Sequence, residues 1–221
     1  MISFTEENYL KAIYKLLNET NGEAVSTNAI AGAMNCKAAS VTDMIKKLSV
    51  RKYINYEKYQ GVTLTDLGQK TALNIVRKHR LWEAFLVTKL NFKWDEVHEI
   101  AEQLEHIDSK LLIERLDAFL GYPKFDPHGD PIPDENGKFP ESKAVLLSKK
   151  YAGDKCVFTG VADHSTLFLN YVDNIGIRIG DPFTIKSIQP FDKTLKLILK
   201  NKKQVDVSSR AASNLWVVDN K

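Results

Sequence analysis

Between Val97 and Ile107 the chain reads Val-His-Glu-Ile-Ala-Glu-Gln-Leu-Glu-His-Ile, and no other run limits the possible folds so tightly. Wound at helical pitch, His98, Glu102, Glu105 and His106 fall within about 100° of arc, while Val97, Ile100, Ala101, Leu104 and Ile107 fill the other side. The spacing predicts an amphipathic helix whose polar face gathers two imidazoles and two carboxylates. Upstream, in Arg77-Lys-His-Arg-Leu-Trp-Glu83, His79 and Glu83 repeat the i,i+4 spacing. Carboxylates stacked at i, i+3 and i+4 repel one another, and a bound cation relieves that strain. A solvated acidic face explains the same residues without an ion, since Phe92 to Leu120 holds eight Asp or Glu against three Lys or Arg. A zinc-peptidase helix does not fit: His98-Glu99 begins that motif, but its second ligand position is Glu102 rather than His.

With 221 residues and 43% hydrophobic content, the chain is long enough for two or three small domains with real cores. The start, Met-Ile-Ser-Phe-Thr-Glu-Glu, lacks the basic and apolar regions of a signal peptide, and no apolar run approaches about 18 residues. A soluble cytoplasmic protein without membrane contact is expected. Cys36 and Cys156 match no zinc-binding or redox spacing and read as structural thiols. The net charge of +3 says little, but positive charge is concentrated away from the acidic stretch.

In chain order, Thr5 opens a helix with an apolar stripe of Tyr9, Leu10, Ile13, Leu16 and Leu17. Two short helices follow, one from Ser26 and one from Lys37, and the residues between them suit the turn of a helix-turn-helix. The second carries Lys37, Ser40, Thr42, Asp43, Lys46 and Lys47 around an apolar stripe of Val41, Met44, Ile45 and Leu48. Small residues near its start can approach base edges, and its lysines can reach phosphates. Residues 53–65 alternate like two strands turned at Gln60-Gly61, as in a wing. Thr27, Ala38, Ala39, Lys58 and Tyr59 complete the candidate DNA contacts. A long helix from Asp66 to Leu90, the acidic helix and a capped helix ending at Gly121 come next. A Pro- and Gly-rich loop spans 122–143 and holds Asp126 and His128. From about Ala144, short strands and Gly-Asp turns indicate a small barrel. The expected class is mainly α with a C-terminal all-β domain: a winged helix-turn-helix domain over 1–73, a helical domain over 74–143 and a barrel over 144–221.

Several segments are similar to the diphtheria toxin repressor family of metal-dependent regulators in its three-domain form. They are Ser40-Val-Thr-Asp-Met-Ile-Lys-Lys-Leu, Tyr56-Glu-Lys-Tyr-Gln-Gly-Val-Thr-Leu-Thr, Arg77-Lys-His-Arg-Leu, Leu104-Glu-His, Pro127-His-Gly and Val161-Ala-Asp-His-Ser, spread over nearly the whole chain in the expected order. The resemblance implies a helical dimerisation domain, an SH3-like C-terminal domain and two metal sites per subunit. One site would use Glu102, Glu105 and His106 with Asn8, a position where the family usually has Asp or Met. The other would use His79, Glu83 and His98, with Asp126, His128 and Asp163. The resemblance further implies a homodimer that binds a double-stranded operator of metal-uptake genes. Mn²⁺ is favoured over Fe²⁺ because Glu stands at 102, where the iron-responsive branch usually has Cys. No enzymatic activity is expected. A metal-dependent hydrolase and a winged-helix regulator responding to an organic ligand are the alternatives.

Overall fold

The computed structural model describes residues 2–57 and 60–220, so the candidate contacts Lys58 and Tyr59 lie outside the described residues. The chain forms two units. One holds the chain up to His79, with Glu102–Glu114 and Pro133–Phe139; the other holds Arg80–Ala101, Arg115–Ile132 and the chain from Pro140 onward.

The first unit begins with α1 (Phe4–Glu19), whose N-terminus is closed by a reciprocal capping box between Ser3 and Glu6. Ser26 caps α2 (Thr27–Ala33) by accepting from the Ala29 amide at 3.1 Å. α3 (Ala38–Val50) has Lys37 at its N-cap and no side-chain cap bond. Asn35, at φ 47, makes the reversal between α2 and α3 in the left-handed region that Asn tolerates. β1 (Ile54–Glu57) and β2 (Gly61–Leu64) pair antiparallel, and Val25 bridges to Val62. Leu10, Ile13, Ile30, Val41, Ile45, Leu48, Ile54 and Val62 make one buried core, so the apolar stripes of the helices and the inner face of the wing are spent on each other.

α4 (Asp66–Leu90) contributes its early turns to the first unit and its later ones to the second. α5 covers only His98–Leu104, and α6 runs Lys110–Phe119. The uninterrupted helical face expected through Ile107 is therefore corrected: Glu105 and His106 sit in a turn past the end of α5. Two local signals end the helix. The Ile107 amide donates to the Leu104 carbonyl in a tight turn, and Ser109 then serves α6, accepting from the Leu112 amide at 3.3 Å.

In the second unit a six-stranded antiparallel sheet has the order β3-β8-β4-β5-β6-β7, with β3 (Val145–Leu146), β4 (Lys155–Val161), β5 (Pro182–Ile188), β6 (Leu195–Leu199), β7 (Gln204–Val207) and β8 (Leu215–Asp219). Its core is Leu147, Phe158, Leu169, Ile185, Leu197 and their buried neighbours, including Cys156. This is the small SH3-like domain expected. β5 starts at Pro182, directly after a turn over residues 177–181 closed by the Asp181 amide on the Arg178 carbonyl. α7 (Thr166–Ile175), capped by Ser165 and ended by Gly176 at φ 80, was not anticipated among the strands; α8 (Ser209–Ala212) is a single turn.

Candidate functional site

In the second unit α4 presents Glu83 toward a loop that presents Asp126 and His128. The three are 3%, 7% and 2% exposed, and one ligand atom from each lies within 4.8 Å of the others. His128 Nδ1 is 3.6 Å from Glu83 Oε2, and His98 Nδ1, at the start of α5, is 3.5 Å from Glu83 Oε1. His128 Nε2 lies 2.8 Å from the Trp94 carbonyl. A carbonyl can only accept, so Nε2 carries the proton, and Nδ1 is the nitrogen turned to Glu83.

Carboxylates crowd this cluster, and the charges of His128 and Arg80 offset them only in part. Burial pushes the Asp126 carboxyl up, Asp130 and Glu83 add like charge, and together they bring it to about 7. Burial holds the His128 imidazolium down, but the hydrogen bond and charge of Glu83 outweigh it and raise the ring to about 9. Two buried carboxylates and an imidazole are a donor set that suits a divalent first-row cation, so these residues fit the metal that the sequence resemblance implies.

The loop is shaped by its own side chains. Asp126 Oδ1 accepts from the His128 and Asp130 amides at 2.8 and 2.9 Å, an Asx turn that leaves Oδ2 3.7 Å from Arg80 Nε. Arg80, which the sequence did not single out, donates to the Pro131 carbonyl and to Asp130 Oδ2 at 3.1 Å. The Val161 amide donates to the His128 carbonyl at 2.9 Å. That approach requires two glycines: a Cβ on Gly129, at φ 89, would stand 2.1 Å from the Thr159 carbonyl, and one on Gly160 would stand 2.6 Å from the His128 carbonyl.

Asp163 spends Oδ1 on the Ser165 amide at 2.9 Å, which holds its carboxyl below the usual range. Its neighbour His164, absent from the expected ligand set, faces the cluster. Its ring centroid is 4.9 Å from that of His128, and its Nε2 is 3.7 Å from Asp130 Oδ2. Nothing in the helical or strand periodicity marks this turn residue.

The remaining expected ligands belong to the first unit, where the structure gives them other partners. Glu105 is fully buried, 2.6 Å from Lys11 Nζ and 2.6 Å from His79 Nδ1. Burial resists its charge, but the His79 hydrogen bond and the Lys11 ammonium hold the carboxyl below its usual range. Lys11 also reaches Glu102 at 3.4 Å. His106 Nδ1 is 2.5 Å from Glu7 Oε2, and its ring stacks on Phe4 with centroids 4.8 Å apart. Asn8, half-buried, follows Glu7 on α1. The single polar face expected for His98, Glu102, Glu105 and His106 is corrected in part: His98 and Glu102 stand one turn apart on α5, whereas Glu105 and His106 lie in the turn after it. Glu7 and Lys11 were missed because their partners are about a hundred positions away in sequence.

On α3 the residues Lys37, Ala38, Ala39, Ser40, Asp43, Lys46 and Lys47 are exposed, while Val41, Ile45 and Leu48 are buried. Thr42 and, on α2, Thr27 are half-buried. The Thr42 hydroxyl donates to the Ala38 carbonyl at 2.9 Å, leaving its oxygen as an acceptor. The first turn of α3 thus offers small side chains and free amides, a surface that can enter a groove closely. Lys47 Nζ is 3.4 Å from Glu6, and Lys46 is 3.9 Å from Asp43.

A winged helix, a buried acid–imidazole cluster and an SH3-like sheet in one chain define the class of metal-responsive DNA-binding regulators. Three family models match in order: the N-terminal DNA binding domain of iron dependent repressors over residues 1–62, their metal binding and dimerisation domain over 65–134, and the FeoA domain over 145–219. An uncharacterized HTH-type transcriptional regulator of Methanocaldococcus jannaschii is 40% identical over 52% of this chain and 90% of its own length. The HTH-type transcriptional regulator MntR of Oceanobacillus iheyensis is 36% identical over 54% of this chain and 80% of its own. A solved manganese-dependent transcriptional repressor in complex with manganese superposes with a TM-score of 0.84 at 36% identity, covering 97% of this chain and 99% of that one. The chain belongs to the diphtheria toxin repressor family, in the form that carries a C-terminal FeoA domain.

Proposed function

We propose that this chain is a metal-dependent transcriptional repressor that binds operator DNA as a homodimer and controls metal uptake. The observation that carries the reading is the buried Glu83–Asp126–His128 cluster in a chain whose other unit is a winged helix with an open first turn on α3. Glu83, Asp126 and His128 would hold the ion, with His98 beside Glu83 and His79 one turn earlier on α4. Asp163 is a further candidate once released from Ser165. The ion supplies positive charge where like carboxylates meet. Everything else is done by the protein: Arg80 and the Asx turn pre-form the loop, and the Trp94 carbonyl keeps Nδ1 of His128 turned inward.

Because these ligands come from different segments, binding favours the arrangement that holds those segments together, which is a coupling free energy. In a dimer the favoured arrangement would set the spacing of two α3 helices to half-sites about 34 Å apart. α6 leaves Leu111, Leu112 and Phe119 exposed, apolar surface suited to a two-fold interface. Thr27, Lys37, Ala38, Ala39, Ser40, Thr42, Asp43, Lys46 and Lys47, with Lys58 and Tyr59 of the wing, are the proposed DNA contacts. Carboxylates without a thiolate suit Mn²⁺, and the resemblance to a manganese-dependent repressor favours Mn²⁺ over Fe²⁺. No helix among the described residues is long and apolar enough to cross a membrane, and a cytoplasmic location is proposed. The three-part division at 73 and 143 is kept as the proposed domain boundaries.

The test is selection of duplexes from the upstream region of the protein's own gene and from random pools, followed by titration with Mn²⁺, with anaerobic Fe²⁺ and with chelator. Specific binding that appears with Mn²⁺ and disappears with chelator is expected. Affinity unchanged by removing divalent ions would overturn the proposal.

A further inference from the structure

The carboxylate pair Glu102–Glu105 already has a cation. Lys11 Nζ lies 2.6 and 2.9 Å from the two oxygens of Glu105 and 3.4 Å from Glu102 Oε1. The lysine side chain is 22% exposed, whereas the Glu105 side chain is fully buried. Two oxygens at hydrogen-bonding distance on one ammonium make a two-point contact, stronger than a neutral bond and difficult to displace from a buried acceptor. One turn earlier on α1, Glu7 Oε2 lies 2.5 Å from His106 Nδ1, so α1 meets the turn 105–106 through the Lys11 ion pair and a hydrogen bond, neither of which needs an added ion.

The other components also argue against a divalent ion at this place. A cation bridging Glu102 and Glu105 would stand within a few ångströms of the Lys11 ammonium, and the two positive charges would repel strongly at that depth. Asn8 brings an amide with no charge to offset them. Among the described residues, the groups able to hold a metal do not include Glu102, Glu105 and His106 together.

We infer that Lys11 is the resident cation of the Glu102–Glu105 pair, so that each subunit takes one divalent ion tightly, at the Glu83–Asp126–His128 cluster, and none at the second site expected by resemblance. α1 is then fastened to the 105–106 turn constitutively, and metal acts on the other cluster alone. The inference rests on the proposed function only for that single ion.

The test is a Mn²⁺ titration of the full-length protein, with free hexaaqua Mn²⁺ read by electron paramagnetic resonance. The unmodified protein should bind one tight ion per subunit, and Asp126→Asn should abolish it. Glu102→Gln, at a carboxylate half open to solvent, should leave both stoichiometry and affinity unchanged. The double variant Lys11→Met with Asn8→Asp should gain a second ion, bound about tenfold or more tighter than any second event in the unmodified protein. Should that variant unfold, the unmodified protein and Glu102→Gln decide alone. Two tight ions in the unmodified protein, one lost in Glu102→Gln, would overturn the inference while leaving the metal-dependent function standing. No tight ion in the unmodified protein would overturn both.

Discussion

Arg51, the residue that ends α3, donates to both carboxylate oxygens of Glu6 at 2.7 Å, and Glu6 is 1% exposed. Burial resists the charge of Glu6, but the Ser3 amide and hydroxyl and the Arg51 guanidinium hold its carboxyl down at about 2 from the ordinary value of 4.5. One side chain thus closes the capping box of α1 and ties α1 to the C-terminus of α3. A carboxylate with a depressed folded value adds stability that is complete above its unfolded value and is lost as pH falls. Thermal unfolding of the metal-free protein should therefore show a stability loss between about pH 4.5 and 2. Glu6→Gln should remove the Glu6 contribution to that loss. Arg51→Ala at pH 7, which leaves a buried carboxylate under-paired, should cost about 2 kcal/mol.

Asp126→Asn should act in opposite directions with and without metal. The amide oxygen can still accept from the His128 and Asp130 amides, while the charge repelled by Asp130 and Glu83 is removed. At pH 7.5 the metal-free variant should melt roughly 2–4 °C higher, as about 1 kcal/mol produces in a chain of this size. The rise in melting temperature that Mn²⁺ gives the parent should disappear. A variant that melts lower without metal and still responds to Mn²⁺ would contradict the electrostatic account.

The α3 lysines should differ in their effect on DNA binding. Lys37→Ala and Lys46→Ala should weaken binding to all sequences and lower the salt slope by about one each. Lys47→Ala should do less, since Lys47 is drawn to Glu6 at 3.4 Å. Anisotropy titrations over a series of salt concentrations check the order, and equal slopes for all three would refute it.

Gly160→Ala should weaken the metal site without touching any proposed ligand. A Cβ there would meet the His128 carbonyl at 2.6 Å and Gly129 Cα at 2.8 Å, forcing the loop off β4. Mn²⁺ affinity should fall by on the order of tenfold, as for loss of a supporting contact, with the far-ultraviolet dichroism unchanged. Equal affinity would show that the loop can hold its ligands without that contact.

The elements most legible in the sequence were those whose signals are local. The Ser26 cap, the apolar stripe Val41–Ile45–Leu48 and the alternation around Gln60-Gly61 mark a winged helix because period and capping act within a few residues. His79 and Glu83 were legible for the same reason, one turn apart on α4. The acidic stretch misled because helical spacing shows which residues could share a face but not where the helix stops. α5 ends at Leu104, so Glu105 and His106 leave the face of His98. Lys11, Glu7 and Arg80 were invisible for a different reason. A salt bridge across tens of residues leaves no periodic trace, and a lysine on a first helix reads as ordinary surface until its partner is known. The use of Asp163 as a turn acceptor, with His164 facing the cluster, is likewise decided by a backbone turn rather than by composition.

The partner that fixes the His128 ring is the carbonyl of Trp94, a main-chain atom. Every amino acid at position 94 supplies that oxygen, so mutation cannot delete the acceptor that selects which nitrogen faces Glu83. What a substitution can change there is the indole, which stacks on His128 with centroids 6.0 Å apart and donates to Asp173. The nitrogen that faces Glu83 is thereby shielded from sequence drift, while the packing around the ring stays free to vary without changing its orientation.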